Sequence, residues 1–177
     1  MDKELAILEN FFEDPIREYH IREIARRIKL NHMTARKYLN KLLKENLLKK
    51  RETKLYSAYS GNTTNKRFTN LKLFHNLEKI RESKLIEDLE TAYDYPTVIL
   101  FGSYSTATNT KNSDIDIFII TNIEKEFNTE KYEKITKRKI SIHKVTEKEF
   151  QNMKIKNPEL VNNICNGITL SGKLEVI

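Results

Sequence analysis

Two aspartates separated by a single residue, in Ser113-Asp114-Ile115-Asp116-Ile117-Phe118-Ile119-Ile120, are the side chains best placed to do chemistry. The alternation of this stretch is that of a strand, so Asp114 and Asp116 share one face and Ile115, Ile117 and Ile119 the other. Carboxylates two positions apart on a strand, about 6 to 7 Å, repel each other unless a cation lies between them. Oxygen ligands of this kind select Mg²⁺ or Mn²⁺. Two solvated aspartates on an edge strand are the alternative, and the apolar flank argues against it. Upstream, Val98-Ile99-Leu100-Phe101 reads as a strand buried on both faces, and it ends at Gly102-Ser103. A glycine that leaves a buried strand and opens a helix lets backbone N–H groups and the Ser103 hydroxyl approach phosphate oxygens closely. A dication bridging those phosphates to the aspartates is the electrostatic arrangement that phosphoryl or nucleotidyl transfer requires.

Phe101-Gly102-Ser103-Tyr104, the run from Tyr104 to Ser113, and Ser113-Asp114-Ile115-Asp116 together resemble the signature of the DNA polymerase beta-type nucleotidyltransferase superfamily, most of all its minimal nucleotidyltransferases. The resemblance covers residues 92 to 172 and implies a small α/β domain with a mixed sheet, ending in a strand at Gly167-Ile168-Thr169-Leu170. It also implies roles. Gly102 and Ser103 would contact a nucleoside triphosphate, and Asp114 and Asp116 would be the catalytic pair holding two metal ions. Two departures stand out. The third carboxylate of the family belongs on a following strand, here Lys139-Ile140-Ser141-Ile142-His143-Lys144-Val145, whose metal-side residues are Ser141 and His143. Neither is a carboxylate, and His143 is either a general base or an ordinary strand histidine. Where relatives carry Ala-Arg-Gly, this chain has Ser105-Thr106-Ala107, without the cation.

These residues need a scaffold, and hydrophobic spacing outlines it. Phe68, Leu71, Leu73, Phe74, Leu77, Ile80, Leu85, Ile86 and Leu89 sustain a helical period to Tyr93, interrupted near Ser83. Residues 124–138 read as a loop and short helix, Thr146-x-x-Glu149 as a capping box, and Pro158 to Asn166 as a last helix, stopped by Gly167, that buries Cys165.

The first half differs in charge. The chain has 177 residues and a net charge of +7, and residues 31–54 alone carry 8 basic and 2 acidic side chains, which suggests a polyanionic partner. Leu5, Leu8, Phe11 and Phe12 mark a first helix ended by Asp14-Pro15. Ile21, Ile24, Ala25 and Ile28 mark a second, with Arg22, Glu23, Arg26 and Arg27 on its wet face. Asn31 caps a third that turns Met33, Ala35, Leu39, Leu42 and Leu43 inward and His32, Thr34, Arg36, Lys37 and Lys41 outward. Two short strands follow around Glu52-Thr53. Residues 20–48 resemble the His-x-Arg-Glu-Ile-Ala-Arg … Thr-x-Arg-x-x-Leu-x-x-Leu pattern of archaeal and bacterial winged-helix regulators. The resemblance implies a winged helix-turn-helix that binds double-stranded DNA, with Thr34, Arg36, Lys37 and Lys41 on the reading helix and Lys49, Lys50, Arg51 and Lys54 on phosphates. Its alternative is a unit for dimerisation or protein contact.

The expected architecture is α+β: a winged helix-turn-helix at 1–60, a helical connector at 61–95 beginning at the polar Gly61-Asn62-Thr63-Thr64-Asn65, and a small α/β nucleotidyltransferase domain at 96–177. Hydrophobic residues at 38% and charged residues at 32% suit a globular protein, no apolar run is long enough to span a bilayer, and a lone cysteine forms no internal disulfide or zinc site. A cytoplasmic location and a homodimer are expected. Two functions follow. One is a metal-dependent enzyme that moves a nucleoside monophosphate from a triphosphate to a protein or nucleic-acid hydroxyl. The other is a DNA-binding regulator or antitoxin-like protein, paired with a toxin-like partner, whose degenerate transferase domain senses a nucleotide.

Overall fold

The computed structural model describes residues 3–52 and 56–174, and the chain divides into two compact units, Met1–His75 and Asn76–Ile177. Lys54, expected on the hairpin, lies outside the described residues.

In the first unit the elements run α1 (Lys3–Glu13), β1 (Tyr19–His20), α2 (Ile21–Arg27), α3 (His32–Lys44), β2 (Leu48–Glu52) and β3 (Ser57–Gly61), with α4 (Lys66–Glu82) passing into the second unit. Asn31 caps α3 as expected, its side chain accepting a hydrogen bond from the Thr34 backbone at 2.8 Å. Ala35 is buried, and Leu39 and Leu42 pack with Phe11, Phe12, Ile24 and Phe68 in one apolar core. Met33 does not join them. It is 72% exposed, a correction to the inward placement, because position 33 lies on the first turn where no neighbouring element covers it. The strands form an antiparallel sheet in the order β1-β3-β2, and β1, too short to leave a periodic signal, pairs Tyr19 with Tyr59. The polar residues 61–65 fall inside this unit and cap α4, Asn65 accepting from the backbone of Arg67 and Phe68.

The second unit holds the end of α4, then α5 (Leu85–Tyr93), β4 (Thr97–Phe101), α6 (Gly102–Ser105), β5 (Ile115–Ile120), α7 (Glu130–Thr136), β6 (Ile140–Val145), α8 (Glu147–Lys156), α9 (Pro158–Cys165) and β7 (Ile168–Ser171). The helical run breaks at Ser83-Lys84, as its sequence indicated; Lys84 takes a left-handed backbone and Ser83 donates back to Ile80. The sheet is mixed, in the order β6-β5-β4-β7, with β6 parallel to β5 and the other pairs antiparallel. One face of it packs Val98, Leu100, Ile115, Ile117 and Ile119 against Leu85, Leu89 and Tyr132. The other packs Ile99 and Phe118 against Phe150, Val161 and Ile164 of α8 and α9. Thr146 and Glu149 form the expected capping box on α8. Cys165 is half-buried, not buried, since it sits on the flank of α9 beside the inward-facing Ile164.

The turn between α6 and β5 is fixed by a buried amide pair: the Asn76 Nδ2 donates to the Tyr104 carbonyl at 3.0 Å and to Asn109 Oδ1 at 2.9 Å. Asn76→Ala removes both bonds from a dry place and should cost about 1–3 kcal/mol, read as a lower urea midpoint for the second unit.

Candidate active site and nucleic-acid interface

Antiparallel pairing of β4 with β5 sets Phe101 opposite Asp116, so the chain leaves β4 directly beside that carboxylate. Gly102 has φ +68°, and a Cβ there would lie 2.7 Å from Asp116 Oδ2. Both the backbone conformation and the missing space demand glycine. Asp114 stands one residue before β5, and Ile115 donates its backbone N–H to the Lys139 carbonyl at 2.9 Å, fixing β6 alongside. The register puts Ser141 beside Asp116 and His143 beside Phe118. Partners across a sheet point to one face, so β6 brings a hydroxyl and an imidazole to the carboxylate side and no third carboxylate. His143 packs edge-on against Phe101, with ring centroids 5.5 Å apart.

Burial raises the Asp116 carboxyl above the usual carboxylate range; His143 opposes the shift, and the neighbouring charge of Asp114 adds to it. A pocket of about 520 Å³ opens beside Asp116, walled by Phe101, Phe118, His143, Met153 and Leu160. Two crowded carboxylates fit a divalent cation that favours oxygen donors. Among the described residues no group of three or more His, Cys, Asp or Glu side chains is gathered to hold a metal. The pair therefore offers two protein ligands, and the remaining positions would fall to substrate or water oxygens.

Residues 82–167 match the family model of the nucleotidyltransferase domain. The match begins in the helical stretch ahead of β4 and contains Gly102, Ser103, Asp114 and Asp116. No curated protein matches the chain. In the second unit, sequence reasoning missed two braces. One is the Asn76–Asn109 pair. The other is Arg138, which donates from Nε to the Tyr104 hydroxyl at 2.8 Å and from a terminal nitrogen to the Lys111 carbonyl. Nothing in the spacing of these residues signals such a contact. No helix among the described residues is long and apolar enough to cross a membrane.

In the first unit the basic residues separate by position. Arg36 and Lys37 are exposed on α3, and Thr34 is half-buried on its first turn. Lys41 instead turns toward α1, 2.5 Å from Glu4 and 3.9 Å from Glu45. On the hairpin, Lys49 is exposed, Arg51 pairs with Glu18, and Lys50 pairs with Glu52. That last hydrogen bond holds the Lys50 ammonium above its ordinary value, while nearby Arg36 works against it. Arg36 and Lys50 line one groove of about 850 Å³ together with Arg22 and Arg26 of α2. The two α2 arginines were legible only as an i, i+4 pair on a wet helix face.

Two outcomes follow for the carboxylate pair. Gly102→Ala should push the Asp116 carboxylate aside and strain the turn, read as a lower Tm by calorimetry. Asp116→Asn should raise the Tm of the metal-free protein at pH 7. A carboxyl whose pKa is higher folded than unfolded costs stability once pH exceeds its unfolded value, and the amide removes that cost.

Proposed function

We propose that the second unit transfers a nucleoside monophosphate from a nucleoside triphosphate to a protein or nucleic-acid hydroxyl, the hydroxyl oxygen bonding to the α-phosphorus and losing its proton as pyrophosphate leaves. The observation that carries this reading is the contact of Gly102 with Asp116, which joins the phosphate-binding turn to the carboxylate pair. Asp114 and Asp116 hold Mg²⁺ or Mn²⁺, and Gly102 and Ser103 seat the triphosphate. When bound, the cation neutralises charge on the phosphates and on the group being transferred. The aspartates fix the position of that charge, the Gly102 backbone admits the phosphates without a side chain in the way, and the Ser103 hydroxyl donates to them. Phe101 and Phe118 keep the inner wall of the site dry, which strengthens each electrostatic contact.

Incubation with labelled ATP, GTP, CTP or UTP and Mg²⁺ or Mn²⁺ tests this. Wild type should label an acceptor, and Asp114→Asn or Asp116→Asn should abolish labelling without unfolding the chain. Ser103→Ala should weaken triphosphate binding by about 1–2 kcal/mol, since the backbone donors remain. Transfer that persists in the double aspartate variant would overturn the assignment.

The first unit we read as a winged helix that binds duplex DNA through α3 and the β2–β3 hairpin, a reading supported by the basic residues Arg36, Lys37, Lys49 and Lys50. Substituting Lys49, Lys50, Arg51 and Lys54 should flatten the log–log salt dependence of duplex binding by about 0.9 for each phosphate that is no longer neutralised. Titrations across salt concentrations measure it, and equal slopes for variant and wild type would overturn the hairpin's part. The second reading, a DNA-binding regulator with a degenerate transferase domain, is favoured by the lack of a carboxylate at Ser141 and His143. Specific duplex binding with no transfer onto any acceptor would select it.

A further inference from the structure

The groove of about 850 Å³ in the first unit has features that a flat duplex-binding face does not need. It is an open concavity bounded by α2, by α3 and by the hairpin. Arg22, Arg26 and Arg36 reach it from two helices, and Lys50 from a strand. Among the described residues the three arginines make no ion pair, whereas the one acidic lining residue, Glu23, is already held by Arg17 at 2.7 Å and Arg27 at 3.1 Å. The groove thus gathers three arginines with no ion pair among the described residues, beside a Lys50 that is held by Glu52. Beside these cations stands Tyr56, 46% exposed, its ring perpendicular to that of His20 with centroids 4.7 Å apart. The His20 Nδ1 lies 3.4 Å from the Ser57 carbonyl, which steadies that imidazole.

We infer that this groove binds an unpaired segment of nucleic acid, with phosphates on Arg22, Arg26, Arg36 and Lys50 and a base stacked on Tyr56. A duplex is convex and keeps its bases stacked on one another, so it offers neither a shape to enter the groove nor a ring face to Tyr56. A single strand offers both, and positively charged grooves with aromatic platforms are how single strands are held without regard to sequence. The groove shares Arg36 and Lys50 with the duplex reading, whereas Arg22, Arg26, Asn40 and Tyr56 belong to it alone. Both modes together would suit a junction between paired and unpaired nucleic acid.

The test uses the full chain with a short oligothymidylate carrying one 2-aminopurine, and with a hairpin duplex of equal length as the comparison. Stacking on an aromatic ring quenches 2-aminopurine fluorescence, a signal that charge attraction alone does not produce. Wild type should bind the single strand and quench the probe. Tyr56→Leu should relieve the quenching and weaken single-strand binding about tenfold, with duplex binding unchanged. Arg22→Ala with Arg26→Ala should keep the probe quenched at saturation and lower the single-strand salt slope by about 1.4, or about 0.7 for each phosphate released. Circular dichroism of each variant reports that it is folded. The inference is overturned if wild type binds the oligothymidylate without quenching, if Tyr56→Leu changes neither quenching nor affinity, or if a mononucleotide at equal concentration displaces the strand. Loss of duplex binding alone, with the single-strand results intact, would strike the winged-helix reading and leave this one standing.

Discussion

The carboxylate of Asp116 occupies the volume that a side chain at position 102 would need, and the surrounding structure is arranged to make that contact possible. It requires β4 and β5 to pair with Phe101 opposite Asp116, and it requires the chain to turn through a left-handed glycine at that place. A partly buried carboxylate next to a second one is unfavourable, as the raised proton affinity of Asp116 records. The opposite face of the same strand offsets this. Ile117 and Ile119 are fully buried, and burial of such side chains contributes about 1.5–3 kcal/mol each. The strand is thus anchored from behind while its front carries charge.

How much of this could be read in advance depends on whether the signal was local. The Asp114-x-Asp116 alternation, the Gly102-Ser103 turn, the cap at Asn31 and the box at Thr146 and Glu149 are all patterns within a few residues, and the structure carries each of them. Contacts between distant positions left no pattern. Asn76 with Asn109 spans 33 residues, and Arg138 with Tyr104 spans 34. Met33 failed for a different reason: helical periodicity ranks it with the apolar face, but burial depends on whether another element covers the first turn. The strand β1, only two residues long, has too few positions to alternate.

Charge in the first unit shows the same limit. Composition counts Lys41 and Arg51 with the other cations of the 31–54 stretch, but Glu4 and Glu18, which lie far away in the chain, come to rest against them. Exposed pairs of this kind contribute about 0–1 kcal/mol, so their main effect is on direction: they turn two positive side chains aside and leave the groove-lining arginines as the concentrated charge.

The order of strands has a consequence for how the protein is made. β4 is complete by residue 101, and its neighbour β5 by residue 120, yet β7, which covers the other edge of β4, is not synthesised until residues 168–171. During translation the apolar segment Val98–Leu100 therefore waits at an open sheet edge while some seventy further residues are added. Such an edge invites pairing with other chains. A chain cut short in this interval would carry both carboxylates with an unpaired, adhesive flank beside them.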